Sequence, residues 1–196
     1  MLKLSFLFLF AVALLTPGVA DAHIVAGEAA GFLSGLAHPV SGLDHVIAMV
    51  AVGLWGASLG LPALWLLPVA FPVVMAFGGF LGLIGVPLPA TELGIALSGV
   101  VLGAAVLTGA RPPLWAALAV VAVFALFHGH AHGTELPPGQ DGLLYSLGFV
   151  IATGSLHALG IGIGVLHRWN WGRRLVRLAG GGVLGGGLFF LWEALA

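Results

Sequence analysis

The chain has 196 residues, of which 60% are hydrophobic and only 7% charged, with a formal net charge of −1 and no cysteine. Soluble domains carry about 25% charged residues, so this sequence cannot build a water-facing surface. The charge balance argues against nucleic acid as a partner, and the missing cysteines exclude disulfides, thiolate metal sites and cysteine nucleophiles.

Long apolar runs satisfy their own backbone hydrogen bonds in lipid only as helices or closed barrels. The runs here are continuous rather than alternating, which excludes a barrel. The expected fold class is an all-α integral membrane protein, a six-transmembrane-helix bundle after a cleaved signal peptide.

Residues 1–22 read as that signal peptide: Lys3, an apolar stretch from Leu4 to Leu15, a Pro-Gly break and an Ala20-Asp21-Ala22 cleavage site. Cleavage after Ala22 makes His23 the new N-terminus, where its free amine and imidazole form a candidate bidentate chelate. Residues 23–196 are expected to form one six-helix transmembrane domain. Its expected spans are 38–59, 62–84, 91–109, 113–132, 142–166 and 175–195, each near the ~20 residues a bilayer core requires. Short Pro/Gly-rich breaks separate them.

With an exported N-terminus, Arg111, Arg168, Arg173, Arg174 and Arg177 all fall on cytoplasmic loops. Glu28, Glu92, Glu135, Asp141 and Glu193 fall on the exported side. This follows the positive-inside rule and puts both mature termini on the exported side. Trp169 and Trp171, among the arginines, suit interfacial anchoring.

The chemistry lies in the first and fourth spans. In "HPVSGLDHVIAM" (38–49), His38 and His45 are seven apart. A continuous helix puts them on one face about two turns apart, with Pro39 in its first turn and Asp44 pointing about 100° away from His45. An acid beside an imidazole inside an apolar span is costly unless paired or functional. In "FHGHAHG" (127–133), His128 and His132 are i, i+4 and share a face, while His130 points nearly opposite. The fourth span runs outward and the first inward. Both histidine groups therefore lie at the same membrane face and depth.

Imidazole with carboxylate and no thiolate suits borderline divalent ions. A five- or six-ligand set from His38, Asp44, His45, His128 and His132 favours Ni²⁺ or Co²⁺ over tetrahedral Zn²⁺. His157, deep in the fifth span, reads either as a buried structural histidine or as a relay ligand on an ion path, with Thr153 and Ser155 nearby. Glu92 and Glu135 read either as ordinary helix-end acids or as groups whose negative potential draws cations in. His167, among arginines, reads as solvated. The glycine-rich 179–190 stretch supports close helix packing within or between protomers, so a homo-oligomer is a candidate state.

At these residues the chain resembles a known family. "HPVSGLDHVIAMVAVGLWGA" (38–57), "FHGHAHGTELP" (127–137) and "FVIATGSLHALGIGIG" (149–164) are similar to segments of the HupE/UreJ proteins, nickel and cobalt permeases linked to hydrogenase and urease. The resemblance covers essentially the whole chain. It implies secondary uptake of Ni²⁺ or Co²⁺ as transported ligand, with no resident cofactor, no enzyme activity, and a functional link to hydrogenase or urease maturation. It also implies that the positions of His38, Asp44, His45, His128 and His132 are needed for transport, whereas His130 falls at a variable position.

Two other functions compete. One is a membrane metal-binding accessory or sensor protein that moves nothing. The other is an intramembrane metal-dependent hydrolase using Ser155 and His157, although H-E-x-x-H is absent and the two side chains point about 200° apart on a helix.

Overall fold

The computed structural model describes residues 28–136 and 142–196. The expected signal peptide, His23 and Asp141 lie outside the described residues. The described chain is helical, with no strand among the described residues: α1 (Glu28–Ser41), α2 (Leu43–Leu59), α3 (Ala63–Leu83), α4 (Thr91–Thr108), α5 (Leu114–Thr134), α6 (Gly142–Gly164), a 3₁₀ turn (Val165–Arg168) and α7 (Asn170–Leu195). Five of these segments are long and apolar enough to cross a membrane, and α1 with α2 makes a sixth if the pair counts as one broken span.

That pair corrects the reading of the first span. α1 and α2 meet at Gly42 with an 81° bend, so no continuous helix joins His38 to His45. Gly42 adopts extended backbone, φ −103° and ψ 119°, which ends one helix and starts the next. Pro39 sits near the C-terminal end of α1 rather than in the first turn of a helix. The last expected span also starts earlier: α7 begins at Asn170 and carries Arg173, Arg174 and Arg177 on helix rather than on a loop.

α2 forms the middle of the bundle. Ala48, Met49 and every residue from Ala51 to Ala57 are buried, as a helix apolar all round requires. α3 divides by contact rather than by polarity. Ala63, Leu67, Phe71, Met75, Gly78 and Gly82 face inward at helical spacing. Trp65, Val69, Val73, Phe77 and Phe80 face outward. Both stripes are apolar, the pattern of a helix whose outer face meets lipid rather than water.

Lipid is as apolar as the helices, so hydrophobic burial does little to join them, and close backbone contact does the work. Glycines supply it at three seams. Gly78 and Gly82 on α3 meet Gly129 and Gly133 on α5. Gly99 and Gly103 on α4 meet Gly180 and Gly187 on α7. Gly53 on α2 and Gly35 on α1 both lie against the backbone of α6. At these positions a Cβ would fall 1.9–3.0 Å from backbone atoms of the facing helix, so no other residue fits without separating the pair.

The helices alternate in direction, so the bundle has two chemically distinct ends. Arg111, Arg168, Arg173, Arg174 and Arg177 lie at one end, where Trp55 Nε1–H also donates to the Ala110 carbonyl at 3.1 Å. Asp44, Glu92 and Glu135 lie at the other. Trp169 and Trp171 stack at 6.3 Å and are largely exposed at the arginine end.

Candidate metal centre

The acidic end holds His38, His45, His128 and His132, whereas His167 lies in the 3₁₀ turn at the arginine end. The helix break at Gly42 turns α1 so that His38, in its last turn, lines the same cavity as Asp44 and His45 in the first turn of α2. α5 brings His128 and His132 up from below on one face. The four rings form a file: His38 to His132 at 4.7 Å between centroids, His132 to His45 at 4.6 Å, and His45 to His128 at 4.9 Å. The five residues taken from the sequence as ligands thus line one file, three from α1 and α2 and two from α5, but of the five only His38 and His132 lie close enough together, with Glu135, to share one ion.

The "FHGHAHG" stretch has three jobs because a helix has more than two sides. His128 and His132 face the file. Gly129 and Gly133, also i, i+4, face α3, where a Cβ would fall 1.9 Å from the Met75 carbonyl oxygen and 2.1 Å from that of Gly79. His130 points to neither: its Nε2–H donates to the Val86 carbonyl at 2.7 Å and ties the α3–α4 connection to α5.

The hydrogen bonds decide which ring nitrogens are available. A carbonyl or carboxylate can only accept, so the imidazole nitrogen that meets it carries the proton and the other keeps its lone pair. His45 Nδ1–H donates to Asp44 Oδ1 at 2.8 Å, and the same oxygen accepts the His45 backbone N–H at 2.8 Å. This departs from the expected 100° separation: the Asp44 side chain curls back along the first turn of α2, where unpaired helix N–H groups favour a carboxylate. His128 Nδ1–H donates to the Phe124 carbonyl one turn earlier, at 2.8 Å. Both rings therefore present Nε2 with its lone pair free, held by an acceptor on the far side, the usual arrangement of metal-ligating histidine.

The free ends have no protein partner. His45 Nε2, His128 Nε2 and both nitrogens of His132 are buried and unpaired. A buried polar group left without a partner costs about 1–3 kcal/mol. Folded proteins keep few such groups, and four within one file require an explanation. A cation that accepts one lone pair from each of these three rings accounts for three of the four, the fourth being the N–H of His132.

Glu135, read from the sequence as a helix-end acid or a source of potential, joins the file directly. His38 Nε2 lies 3.4 Å from Glu135 Oε2. His38, His132 and Glu135 each offer a ligand atom within 4.8 Å of one another, the one such group of three among the described residues. His38 beside it holds the Glu135 carboxyl below its ordinary range, against the opposing effect of partial burial. A cavity of about 210 Å³ opens over the file, lined by His38, Asp44, His45 and His132, with Glu92 and Glu135 at its rim. Three carboxylates around one opening concentrate cations there.

Tyr145 and Phe149, which sequence reasoning passed over, wall the other side. The His132 ring sits edge-on to Phe149 at 4.5 Å, and Tyr145 lies 5.9 Å from His38. Their only signal was aromatic residues at i, i+4 on α6 near its acidic end. At the bottom of the file, His128 meets the Phe71 ring at 5.5 Å, and Phe71 meets His157 at 5.4 Å. Ser155 faces away, exposed, with its hydroxyl donating to the Ile151 carbonyl, so no serine–histidine pair forms with buried His157.

A family model described as HupE / UreJ protein matches residues 11–190. The chain belongs to the HupE/UreJ family. Among curated relatives, Protein HupE of Rhizobium leguminosarum bv. viciae is 48% identical over 171 residues, covering 87% of this chain and 89% of that protein. No solved structure matches the chain. The match to this HupE/UreJ chain spans all seven described helices apart from the last residues of α7, so the histidine file falls wholly inside it.

Proposed function

We propose that this HupE/UreJ protein is a permease that takes up divalent nickel or cobalt across the bacterial inner membrane. The observation that carries this reading is the file of four imidazoles, three of them with buried, unpaired ring nitrogens and the fourth, His38, against Glu135, open to one face of the bundle through a rim of carboxylates. Nitrogen and oxygen donors without thiolate select a borderline divalent ion over Ca²⁺, Mg²⁺ or Cu⁺. Three donors, from His38, His132 and Glu135, stand within 4.8 Å of one another, so the choice of Ni²⁺ or Co²⁺ over Zn²⁺ rests on the family's link to those two ions.

The charge asymmetry supports an orientation. The arginine end faces the cytoplasm by the positive-inside rule, so the acidic end faces the periplasm and the file opens outward. A hydrated cation is drawn to Asp44, Glu92 and Glu135, sheds water to Glu135, His38 and His132, and passes to His45 and His128. Asp44 keeps the His45 ring oriented with Nε2 toward the ion. The family's link to nickel and cobalt handling for hydrogenase and urease agrees with this cargo.

The test is ⁶³Ni²⁺ accumulation in cells expressing the wild type, His38→Ala or Asp44→Ala, with membrane insertion checked by immunoblot. Loss of accumulation in both inserted variants is expected. Undiminished accumulation in either refutes the reading.

A further inference from the structure

Below the outer file lies a second group of buried polar atoms that capture at the mouth does not use. His157 is 2% exposed and Thr153, one turn earlier on α6, is 0% exposed. At i, i+4 they share a face. Neither His157 nitrogen and not the Thr153 hydroxyl has a hydrogen-bond partner.

The threonine is the more telling of the two. A helical Ser or Thr ordinarily turns its hydroxyl back to a carbonyl three or four residues earlier. Ser58, Ser98, Ser146 and Ser155 all do so. Thr153, more buried than most of these, leaves its oxygen unpaired instead.

A second oxygen comes from α3. Pro72 has no N–H to offer the carbonyl of Pro68, four residues before it, so that carbonyl is released from the helix ladder. It lies against the His157 ring without completing a hydrogen bond of normal geometry. Unwound or released carbonyls at membrane depth survive where they line an ion path.

The geometry points to a second cation-binding station inside the bundle, built from His157, Thr153 and the Pro68 carbonyl. It takes a divalent first-row transition cation, because its one imidazole excludes a preference for hard alkaline-earth ions. Phe71 stands between this station and the outer file, with its ring 5.5 Å from His128 and 5.4 Å from His157. At 1.5 Å per residue, His128 lies about 9 Å from the outer end of α5, and His157 about 22 Å from the outer start of α6. The second station is thus one step deeper on the same line. It carries no carboxylate, so it holds its ion more weakly than the outer file, as a station on the way out of a site should.

This inference rests on the uptake reading for its purpose, but its test is separable. Purified protein in nanodiscs is dialysed to equilibrium against NiCl₂, and bound nickel is counted per chain at saturation. His157→Gln should bind one ion fewer than the wild type, with the tighter ion's affinity unchanged. Thr153→Val, which keeps the shape and removes only the hydroxyl, should keep the wild-type count but weaken the last ion by about 10-fold or more. Equal counts for the wild type and a folded His157→Gln overturn the proposal. If His157→Gln does not fold, an unchanged last-ion affinity in Thr153→Val overturns it. His45→Ala serves as the separate control: it should lose the tighter ion, and its retention refutes the outer site while leaving the count at His157 interpretable.

Discussion

Gly129→Ala should weaken nickel binding although it removes no ligand. The added Cβ falls 1.9 Å from the Met75 carbonyl oxygen, 2.7 Å from the Met75 carbonyl carbon and 2.9 Å from the Gly79 backbone nitrogen. All three are backbone atoms of α3, so no side chain can swing aside. The contact must open from 1.9 Å to ordinary van der Waals distance, which starts near 3.4 Å, and α5 must move off α3 to do it. Overpacking of this kind costs about 1–3 kcal/mol. His128 flanks the site of insertion and His132 lies one turn beyond, so both ligands travel with α5. Metal sites tolerate only about 0.2 Å of error in ligand distance, and disturbing the support of a ligand typically costs about 10- to 100-fold in affinity. Equilibrium dialysis against NiCl₂ should show a loss in that range, with a lowered melting temperature. Gly154→Ala is the control: its Cβ meets nothing within 4 Å, so both measurements should match the wild type. Wild-type nickel affinity in a folded Gly129→Ala would refute the claim that the α3–α5 seam positions the histidines.

Asp44→Asn keeps the shape of the side chain but replaces a charged acceptor at His45 Nδ1–H with a neutral one, and nickel affinity measured by dialysis should fall about 10- to 100-fold. His130→Ala removes the tie to Val86 and should lower stability by about 1–3 kcal/mol in a thermal melt, while nickel affinity stays at the wild-type value. Glu135 gives a pH prediction. Its carboxyl is held below its ordinary value of 4.5 by His38, so its ionisation stabilises the fold above that value, and the contribution is lost as pH falls through the lowered one. In metal-free melts across this acid range, the wild type should lose its advantage over Glu135→Gln on acidification; a gap that stays constant with pH contradicts the pairing.

Much of this site could be read from the residues because topology does not depend on detail. Counting spans places His38, Asp44 and His45 at the same end as His128 and His132, and i, i+4 spacing separates His130 from its neighbours. The bend at Gly42 could not be read from hydropathy, which is the same for a straight helix and a broken one. Its cost was the geometry of His38, which reaches His45 through the His132 ring rather than along one helix face. The direction of the Asp44 side chain was missed for a related reason: it follows from the start of a new helix at Leu43. Glu135 was underrated because it follows the last turn of α5, and its reach to His38 depends on how α1 ends. The glycines announced close packing, but which helix each one touches is a property of the assembled bundle. Thr153 and Pro68 matter through what they fail to bond, and no spacing rule reports that.

The central claim is that this chain alone moves the ion, rather than only holding it. Purified protein reconstituted into sealed liposomes, exposed to ⁶³Ni²⁺ outside, tests it directly. The account predicts time-dependent accumulation that exceeds the number of protein sites, is released when the liposomes are permeabilised, and is absent with His45→Ala. Label that saturates at the number of protein sites and stays bound after permeabilisation contradicts it, and describes an accessory metal-binding protein instead.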